Sequence, residues 1–253
     1  MTGRLSAAIA AMTLAAALTA ALPAWAGPLV ADIWRQQITI DSGFTGADEL
    51  LYGAIDGKGD LVIVVRGPEE RVVVRRKDRI AGVWVNRDKI EFENVPAYYA
   101  VGSIRSLEEL NKIIPQTLLA RHQIGLDALR LTPLTSRPAE EIAPFRAALI
   151  RSRVRDQLYR DQTGEVEFLG ERLFRMPLHF PANVPEGTYK AQFVLFRGGE
   201  VVGEETIELP IRKTGFQAKL DSLAHKRPAY YGFSAIVLAL FAGWVAAVVF
   251  RKP

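Results

Sequence analysis

Residues Pro228 to Phe250 read PAYYGFSAIVLALFAGWVAAVVF, without a single charged residue. A bilayer's hydrocarbon core is about 30 Å thick and a helix rises about 1.5 Å per residue, so roughly 20 apolar residues suffice to cross it. This run is long enough. Lys226-Arg227 flank one side and Arg251-Lys252 the other. The pattern predicts a transmembrane helix at 228–250, a cytoplasmic tail at 251–253 and a juxtamembrane linker at 217–227. Everything before the linker is then presented at a membrane surface. Ala235, Ala239, Gly243 and Ala247 recur at four-residue spacing along this stretch. Small residues at that spacing let helix backbones approach closely, which is how helices associate in lipid. They are the candidate helix-packing face, either for self-association or for a partner helix.

The opening residues, MTGRLSAAIAAMTLAAALTAALPAWAG, place Arg4 before a long Ala/Leu-rich run. Pro23 breaks that run, and Ala24-Trp25-Ala26 offers the small residues a signal peptidase reads. A secretory signal peptide over 1–26 is expected, cleaved after Ala26; an uncleaved N-terminal anchor is the other reading. With the later span, this predicts a single-pass membrane protein with its N-terminal domain exported and its C-terminus cytoplasmic. The cations on both flanks make the positive-inside rule only weakly informative here.

Charge narrows the partners. The chain carries +4, and Arg4, Arg251 and Lys252 supply three of those charges, leaving +1 on Gly27–Arg227. The surface field gives no case for a nucleic-acid partner. There is no cysteine. An exported domain of this kind must hold together by packing alone, and thiol chemistry, iron–sulfur clusters and covalent haem attachment are excluded.

Residues 27–105 read as short strands between turn signals. Gln37–Ile40 alternates, Gly43–Gly46 is a loop, and Leu50–Ile55 is a second strand. Leu61–Val65 is a continuous apolar β-branched run closed by Arg66-Gly67-Pro68, the pattern of a strand buried on both faces. Arg71–Lys77, Val83–Val85, Lys89–Phe92 and Tyr98–Ile104 follow as strands, with a turn at Asn86–Asp88. The basic cluster Arg71, Arg75, Arg76, Lys77 and Arg79 reads as a solvated edge, where charge suppresses stray strand pairing; contact with anionic headgroups or an acidic partner is the alternative.

Residues 106–160 are the helical segment. Ser106-Leu107-Glu108-Glu109 matches a capping box. A helix from there reaches about Ile114, a second runs Gln116–Ile124 with Gly125 as its stop, and a third spans Glu140–Tyr159. The third places Ile142, Phe145, Leu149, Val154 and Leu158 on one face and arginines around the rest. It reads as a helix packed on the β layers, the alternative being an interfacial membrane helix.

Residues 161–216 form the second β module. Glu165–Leu169 and Leu173–Phe180 are strands, and Tyr189–Phe196 returns through Gly198-Gly199 into Val201–Ile211. Gly187-Thr188-Tyr189-Lys190-Ala191 resembles an immunoglobulin-like tyrosine corner with Ala191 at the cysteine position. The predicted fold class is mainly β: Ig-like β-sandwich modules with a helical insertion and one C-terminal transmembrane helix. Whether the two β segments form one composite or two bodies is left open.

Chemistry is not visible in motifs. There is no G-x-S-x-G, Walker A, H-E-x-x-H or C-x-x-C. Asp48-Glu49 and Glu140-Glu141 are neighbours whose side chains diverge. His122 reads as a partly buried helix histidine, a catalytic base being the other reading, His179 as solvent-facing, and Trp34, Trp84, Tyr98 and Tyr99 as packing residues, a ligand groove being the other reading. No catalytic, metal or cofactor residues are predicted, and a non-enzymatic protein is expected.

Several segments taken together, GDLVIVVRGP (Gly59–Pro68), AGVWVN (Ala81–Asn86), VPAYYAVGS (Val95–Ser103), HQIGL (His122–Leu126), PANVPEGTY (Pro181–Tyr189), VLFRGG (Val194–Gly199) and AGWVA (Ala242–Ala246), resemble the alphaproteobacterial transmembrane protein family Alph_Pro_TM. The resemblance covers nearly the whole mature chain. It implies the bacterial inner membrane, with the exported domain periplasmic. It also implies an accessory role beside a membrane transporter of the sulfite-exporter (TauE/SafE) type, and carries over no functional residues. The partners expected are therefore the lipid bilayer and either a permease or a second copy. The alternative is a tethered periplasmic module binding a small anionic solute or envelope component.

Overall fold

Leu61–Val65 has no polar face, so it is stable only as a strand with apolar side chains packed on both sides. The computed structural model, which describes residues 27–35, 37–41, 43–80, 82–213, 236, 239–240 and 243–244, shows that arrangement. Thirteen strands are present among the described residues: β1 Leu29–Ile33, β2 Ile38–Ile40, β3 Gly46–Ile55, β4 Asp60–Arg66, β5 Glu69–Ile80, β6 Val83–Pro96, β7 Tyr99–Ser103, β8 Thr132–Pro133, β9 Gly164–Glu165, β10 Glu167–Leu169, β11 Leu173–Pro181, β12 Gly187–Arg197 and β13 Glu200–Lys213. Helices α1 Leu107–Ile113, α2 Gln116–His122 and α3 Ala139–Arg155 lie between β7 and β9. The protein is mainly β with a helical insertion.

Three sheets result, in the orders β1-β3-β11-β10, β2-β13-β12-β4-β7-β9 and β5-β6-β8. The six-stranded sheet is the middle layer. On one face Leu61, Ile63 and Val65 join Tyr189, Ala191, Phe193 and Leu195 of β12 and the inward residues of the four-stranded sheet, Leu51, Phe174, Met176 and Phe180 among them. On the other, Val62, Val64, Val194 and Phe196 pack under Phe92 and Val95 of β6, Leu110 and Leu119 of the first helices, and Phe145 and Leu149 of α3. The period-2 alternation of β4 and β12 thus feeds two separate cores. Each fully buried side chain of that size contributes about 1.5–3 kcal/mol relative to exposure.

The two β segments are interleaved. β3 pairs with β11 from Leu173↔Ala54 to Pro181↔Gly46, and β12 pairs with β4 from Lys190↔Arg66 to Phe196↔Asp60. The segments around residues 27–105 and 161–216 therefore build both larger sheets jointly. Val166 marks a crossing between layers: Gly164–Glu165 pairs in parallel with β7, while Glu167–Leu169 pairs with β11. Val166 itself is 4% exposed.

Several sequence expectations need correction. Asn86–Asp88 is not a turn; β6 runs straight through it and absorbs the extra residue as a register shift opposite Arg76 and Lys77. β3 starts at Gly46, not Leu50, because β11 pairs it along its whole length. Leu29–Ile33, unassigned from the sequence, is an edge strand. α1 is capped as predicted, the Ser106 hydroxyl accepting the Glu109 N–H at 3.3 Å. α2 stops at Gln123, in the left-handed region at φ 54, two residues before the expected Gly125. α3 ends at Arg155 rather than Tyr159, and Gln157 takes φ 59 just beyond it. The tyrosine corner has its hydrogen bond: Tyr189 Oη donates to the Pro185 carbonyl at 2.6 Å.

No helix among the described residues is long and apolar enough to cross a membrane. The expected span at 228–250 lies outside the described residues except for Ile236, Ala239, Leu240, Gly243 and Trp244, which are helical and exposed. The expected signal peptide at 1–26 and the linker and tail also lie outside them.

The layers meet closely at Gly102 of β7. A Cβ there would sit 2.1 Å from the Met176 sulfur, and one at Gly164 2.8 Å from the Met176 methyl. Met176 fills the space that two glycines leave. Gly102→Val is expected to destabilise the chain by about 1–3 kcal/mol through overpacking, measured by urea unfolding of the detergent-solubilised protein. Tyr189→Phe, which removes only the corner hydrogen bond, is expected to cost about 1 kcal/mol in the same assay; no loss would show that the Pro185 carbonyl finds water instead.

Candidate functional site

The row of side chains that β12 turns toward the helical layer runs Phe196, Val194, Gln192, Lys190, and the matching row on β4 runs Val62, Val64, Arg66. Both rows begin apolar and end polar at the same end of the sheet, since Lys190 pairs with Arg66. There the second core opens into a cavity of about 630 Å³. Its walls are Arg66, Gly67 and Pro68 after β4, Glu69 opening β5, Asn94 and Pro96 closing β6, Gln123 after α2, Arg130 and Thr132, and Thr188 and Lys190 of β12.

The cavity is held open by backbone. Gly67 passes so close to β7 that a Cβ would lie 2.7 Å from the Tyr98 amide nitrogen, and its own N–H donates to the Tyr98 carbonyl at 2.8 Å. Asn94 and Gln123 both adopt positive φ, 56 and 54 degrees. Their side chains are anchored, Asn94 Nδ2 donating to Thr132 Oγ1 at 3.2 Å and Gln123 Oε1 accepting the Arg130 N–H at 3.1 Å. Tyr99 Oη clamps the α2 exit by donating to the Gln123 carbonyl at 2.6 Å and accepting the Gly125 N–H at 2.8 Å. Burial raises the Tyr99 phenol far above its usual range, so it stays protonated to do this.

Three cations line the walls, Arg66, Arg130 and Lys190, against one carboxylate, Glu69. Arg66 is oriented from beneath: its Nη2 donates to Gln192 Oε1 at 2.9 Å. Gln192 is 8% exposed and in turn donates from Nε2 to Glu204 at 2.7 Å, with His122 Nδ1 at 3.2 Å from the same nitrogen. Burial pushes the His122 pKa down, outweighing the attraction of Glu204. The neutral ring can accept from Gln192. Because the folded-state pKa lies below the unfolded one, acidification through the ordinary histidine range removes stability. Among the described residues, neither the Arg130 guanidinium nor the Lys190 ammonium forms an ion pair. Three cations against one carboxylate in a concave polar site suit an anionic oxygen group, which Arg holds by two N–H bonds and Lys as a point charge.

The residues singled out from the sequence fall elsewhere. Tyr98 and Tyr99 do not share a groove with Trp34: they are 0% and 1% exposed and lie in opposite cores, whereas Trp34 is 70% exposed. The Trp84 side chain lies outside what is described. His122 is the buried histidine expected, 5% exposed and edge-on to Phe196. His179 is on the outer face, with Nδ1 2.6 Å from Asp48 Oδ1. Asp48 and Glu49 diverge, as expected: Glu49 turns inward, where Oε1 accepts the Arg35 N–H at 2.7 Å and Oε2 finds no partner among the described residues. Glu140 and Glu141 are exposed on the first turn of α3. The basic cluster lies along β5, where Arg71 pairs with Glu91 and Glu93 and Arg79 Nε donates to the Gly82 carbonyl. Of the helix-packing stripe, Ala239 and Gly243 are helical and exposed, and Ala235 and Ala247 lie outside the described residues.

The cavity residues were missed by sequence reasoning. Arg66 reads there as a strand terminator and Lys190 as the polar half of an alternation. The signal present was that Lys190 and Gln192 continue the row of Val194 and Phe196; what it lacked was the partner strand, 126 residues away at the Arg66–Gln192 contact.

Among curated proteins none matches this chain in sequence. Among solved structures, a family 123 glycoside hydrolase from Clostridium perfringens, described for glycolipid glycan hydrolysis, matches at 9% identity with a TM-score of 0.23. That match covers 74% of this chain, which spans 28% of the hydrolase chain. The family described as "Putative transmembrane protein (Alph_Pro_TM)" matches residues 28–252. From Pro28 through Lys252, both larger sheets, the helical insertion and the apolar C-terminal run included, the chain belongs to that transmembrane protein family.

Proposed function

We propose that this chain is a non-enzymatic binding module, anchored in the inner membrane by residues 228–250, that holds an anionic solute or envelope component on the periplasmic side. The observation that carries the reading is the convergence of Arg66, Arg130 and Lys190 on one polar cavity, with Arg66 preset by a buried amide. A prearranged donor set reduces the ordering cost of capturing an anion. The walls offer amides, two hydroxyls, three cations and the Glu69 carboxylate, and the His122 imidazole is committed to Gln192. That is a set for holding a group rather than for transferring one. The Tyr189–Pro185 hydrogen bond supports placing the two large sheets with Ig-like sandwiches, in which such a corner ties a late strand to the preceding loop.

A second reading, an accessory role to a membrane permease through the transmembrane segment, is favoured by one observation. Small residues recur at four-residue spacing, Ala235, Ala239, Gly243 and Ala247, and this lets helix backbones approach closely. The two readings are compatible, since one uses the exported layers and the other the span.

Binding is tested on the detergent-solubilised full chain by thermal unfolding with inorganic phosphate, succinate or dihexanoyl phosphatidylglycerol. At saturation one of them is expected to raise the unfolding temperature by about 2–4 °C. The rise should disappear in the double variant Arg130→Gln/Lys190→Gln, whose substituted side chains are exposed and leave both cores intact. Equal behaviour of wild type and variant with every anion would sink the binding reading. For the span, Gly243→Leu is expected to lower recovery of a crosslinked partner or self-dimer in membranes severalfold, while carbonate extraction shows insertion unchanged. Unaltered crosslinking would reduce the span to a tether.

A further inference from the structure

The cavity and the membrane connection lie at one end of the same sheet. Thr188 on the cavity wall pairs with Pro210 of β13, and Lys190 pairs with Glu208. β13 ends at Lys213, three residues past Pro210, which is about 10 Å of strand. From there fourteen residues, 214–227, lead to the apolar run that starts at Pro228. Even fully extended they reach no more than about 50 Å. At the opposite end of the sheet, by the Gly198-Gly199 turn and the β3–β4 connection, the cations have partners: Arg197 donates to the Lys58 and Asp56 carbonyls and Arg105 pairs with Asp60. Arg212, exposed, adds charge at the cavity end, where Lys213 pairs with Glu186 at 3.6 Å, and Lys219, Lys226 and Arg227 follow in sequence.

A cavity built for a free solute gains nothing from standing where the chain leaves for the bilayer. A cavity for a lipid headgroup must stand there. We infer that the Arg66–Arg130–Lys190 cavity takes the phosphate of an anionic phospholipid in the leaflet to which the chain is tethered. This rests on the binding-module reading above and names its ligand class. The phosphate bridges Arg130 and Lys190 at the rim, and Arg66, steadied by Gln192, closes on it from the floor. Thr188 and Asn94 offer a hydroxyl and an amide to a hydroxylated headgroup such as glycerol. Glu69, the one lining carboxylate, disfavours headgroups of higher negative charge. Lipid binding also orients the exported layers, because the cavity mouth must then face the membrane.

The same chemistry comes from a free phosphate ester, so the test separates the two sources. The full chain is purified in neutral detergent, given equal phosphatidylglycerol and phosphatidylcholine, and released for native mass spectrometry, as wild type and as Arg130→Gln/Lys190→Gln. Thermal unfolding of both proteins with glycerol phosphate forms the second arm. Wild type is expected to retain one phosphatidylglycerol with about tenfold preference over phosphatidylcholine, the variant to show parity, and glycerol phosphate to act far more weakly than the lipid. Equal retention of both lipids by wild type, or a preference undiminished in the variant, overturns the inference. If glycerol phosphate stabilises wild type alone and no lipid preference is found, the inference falls while the binding module stands. If neither ligand distinguishes wild type from variant, both fall. Circular dichroism of the variant and the wild type, expected to coincide, keeps misfolding from imitating a loss of binding.

Discussion

Burial of β4 on both faces is the constraint from which the rest of the structure follows. Five consecutive residues, Leu61 to Val65, are at most 1% exposed. No two-layer arrangement covers such a strand, so the six-stranded sheet must sit between a second sheet and a helical layer. The helical insertion is therefore structural before it is anything else: Leu110, Leu119, Phe145 and Leu149 are the lid on Val62 and Val64. It also explains how a cysteine-free chain coheres. Strands separated by over a hundred residues lie side by side, β4 against β12 and β3 against β11, so no terminal part peels away without opening a core. The sheet's long β13 edge is blunted by charge, with Glu204, Glu205 and Glu208 along it and the Glu205 carboxylate accepting the Ala31 N–H of β1.

A doubly buried strand has to end somewhere, and its ending creates the site. At Arg66 the apolar row of β4 stops while β12 and β13 continue past it for three more pairs, Tyr189↔Leu209 to Gly187↔Ile211. A guanidinium there cannot be left unsatisfied against a core. Gln192 supplies its acceptor, and Gln192 must then satisfy its own amide nitrogen, which it does with Glu204 and His122. The polar chain is the minimum that closes the hydrogen-bond account at the mouth of the second core. The outcome is an arginine aimed outward into a cavity whose other cations, Arg130 and Lys190, come from unrelated parts of the chain.

The division between what the sequence reveals and what it hides follows from range. Local rules read well: the two-faced burial of Leu61–Val65, the Ser106 cap, the Gly198-Gly199 hairpin with both glycines at positive φ, and the corner at Tyr189 all depend on residues within a few positions. Misreadings occur where a distant partner overrides local preference. Asn86-Arg87-Asp88 carries turn chemistry, yet β5 pairs across it and converts a turn into a bulge. Gly125 invites a helix stop, but Tyr99 from the central sheet clamps Gln123 first. Val166 looks like the middle of one strand and is a crossing between two sheets, since β7 and β11 claim opposite sides of it. The cavity belongs to the same class, because its walls come from five separate stretches of the chain and no window of sequence contains more than one cation of the three.

Cavity and anchor are linked through strand direction. β12 and β13 form an antiparallel hairpin, so the residues that open β12 necessarily stand beside those that close β13. Gly187 pairs with Ile211, and Pro68 packs against Gly187 so closely that a Cβ there would meet its ring at 2.7 Å. The floor of the cavity, the start of β12 and the departure point of the chain are thus one packed unit. A pull on Lys213 from the residues that follow it is borne first by the Ile211–Gly187 and Ile211–Ile38 pairings, directly beside the cavity wall. The cavity wall and the strand by which the chain leaves the sheets are immediate neighbours, without any need for a long-range path through the fold.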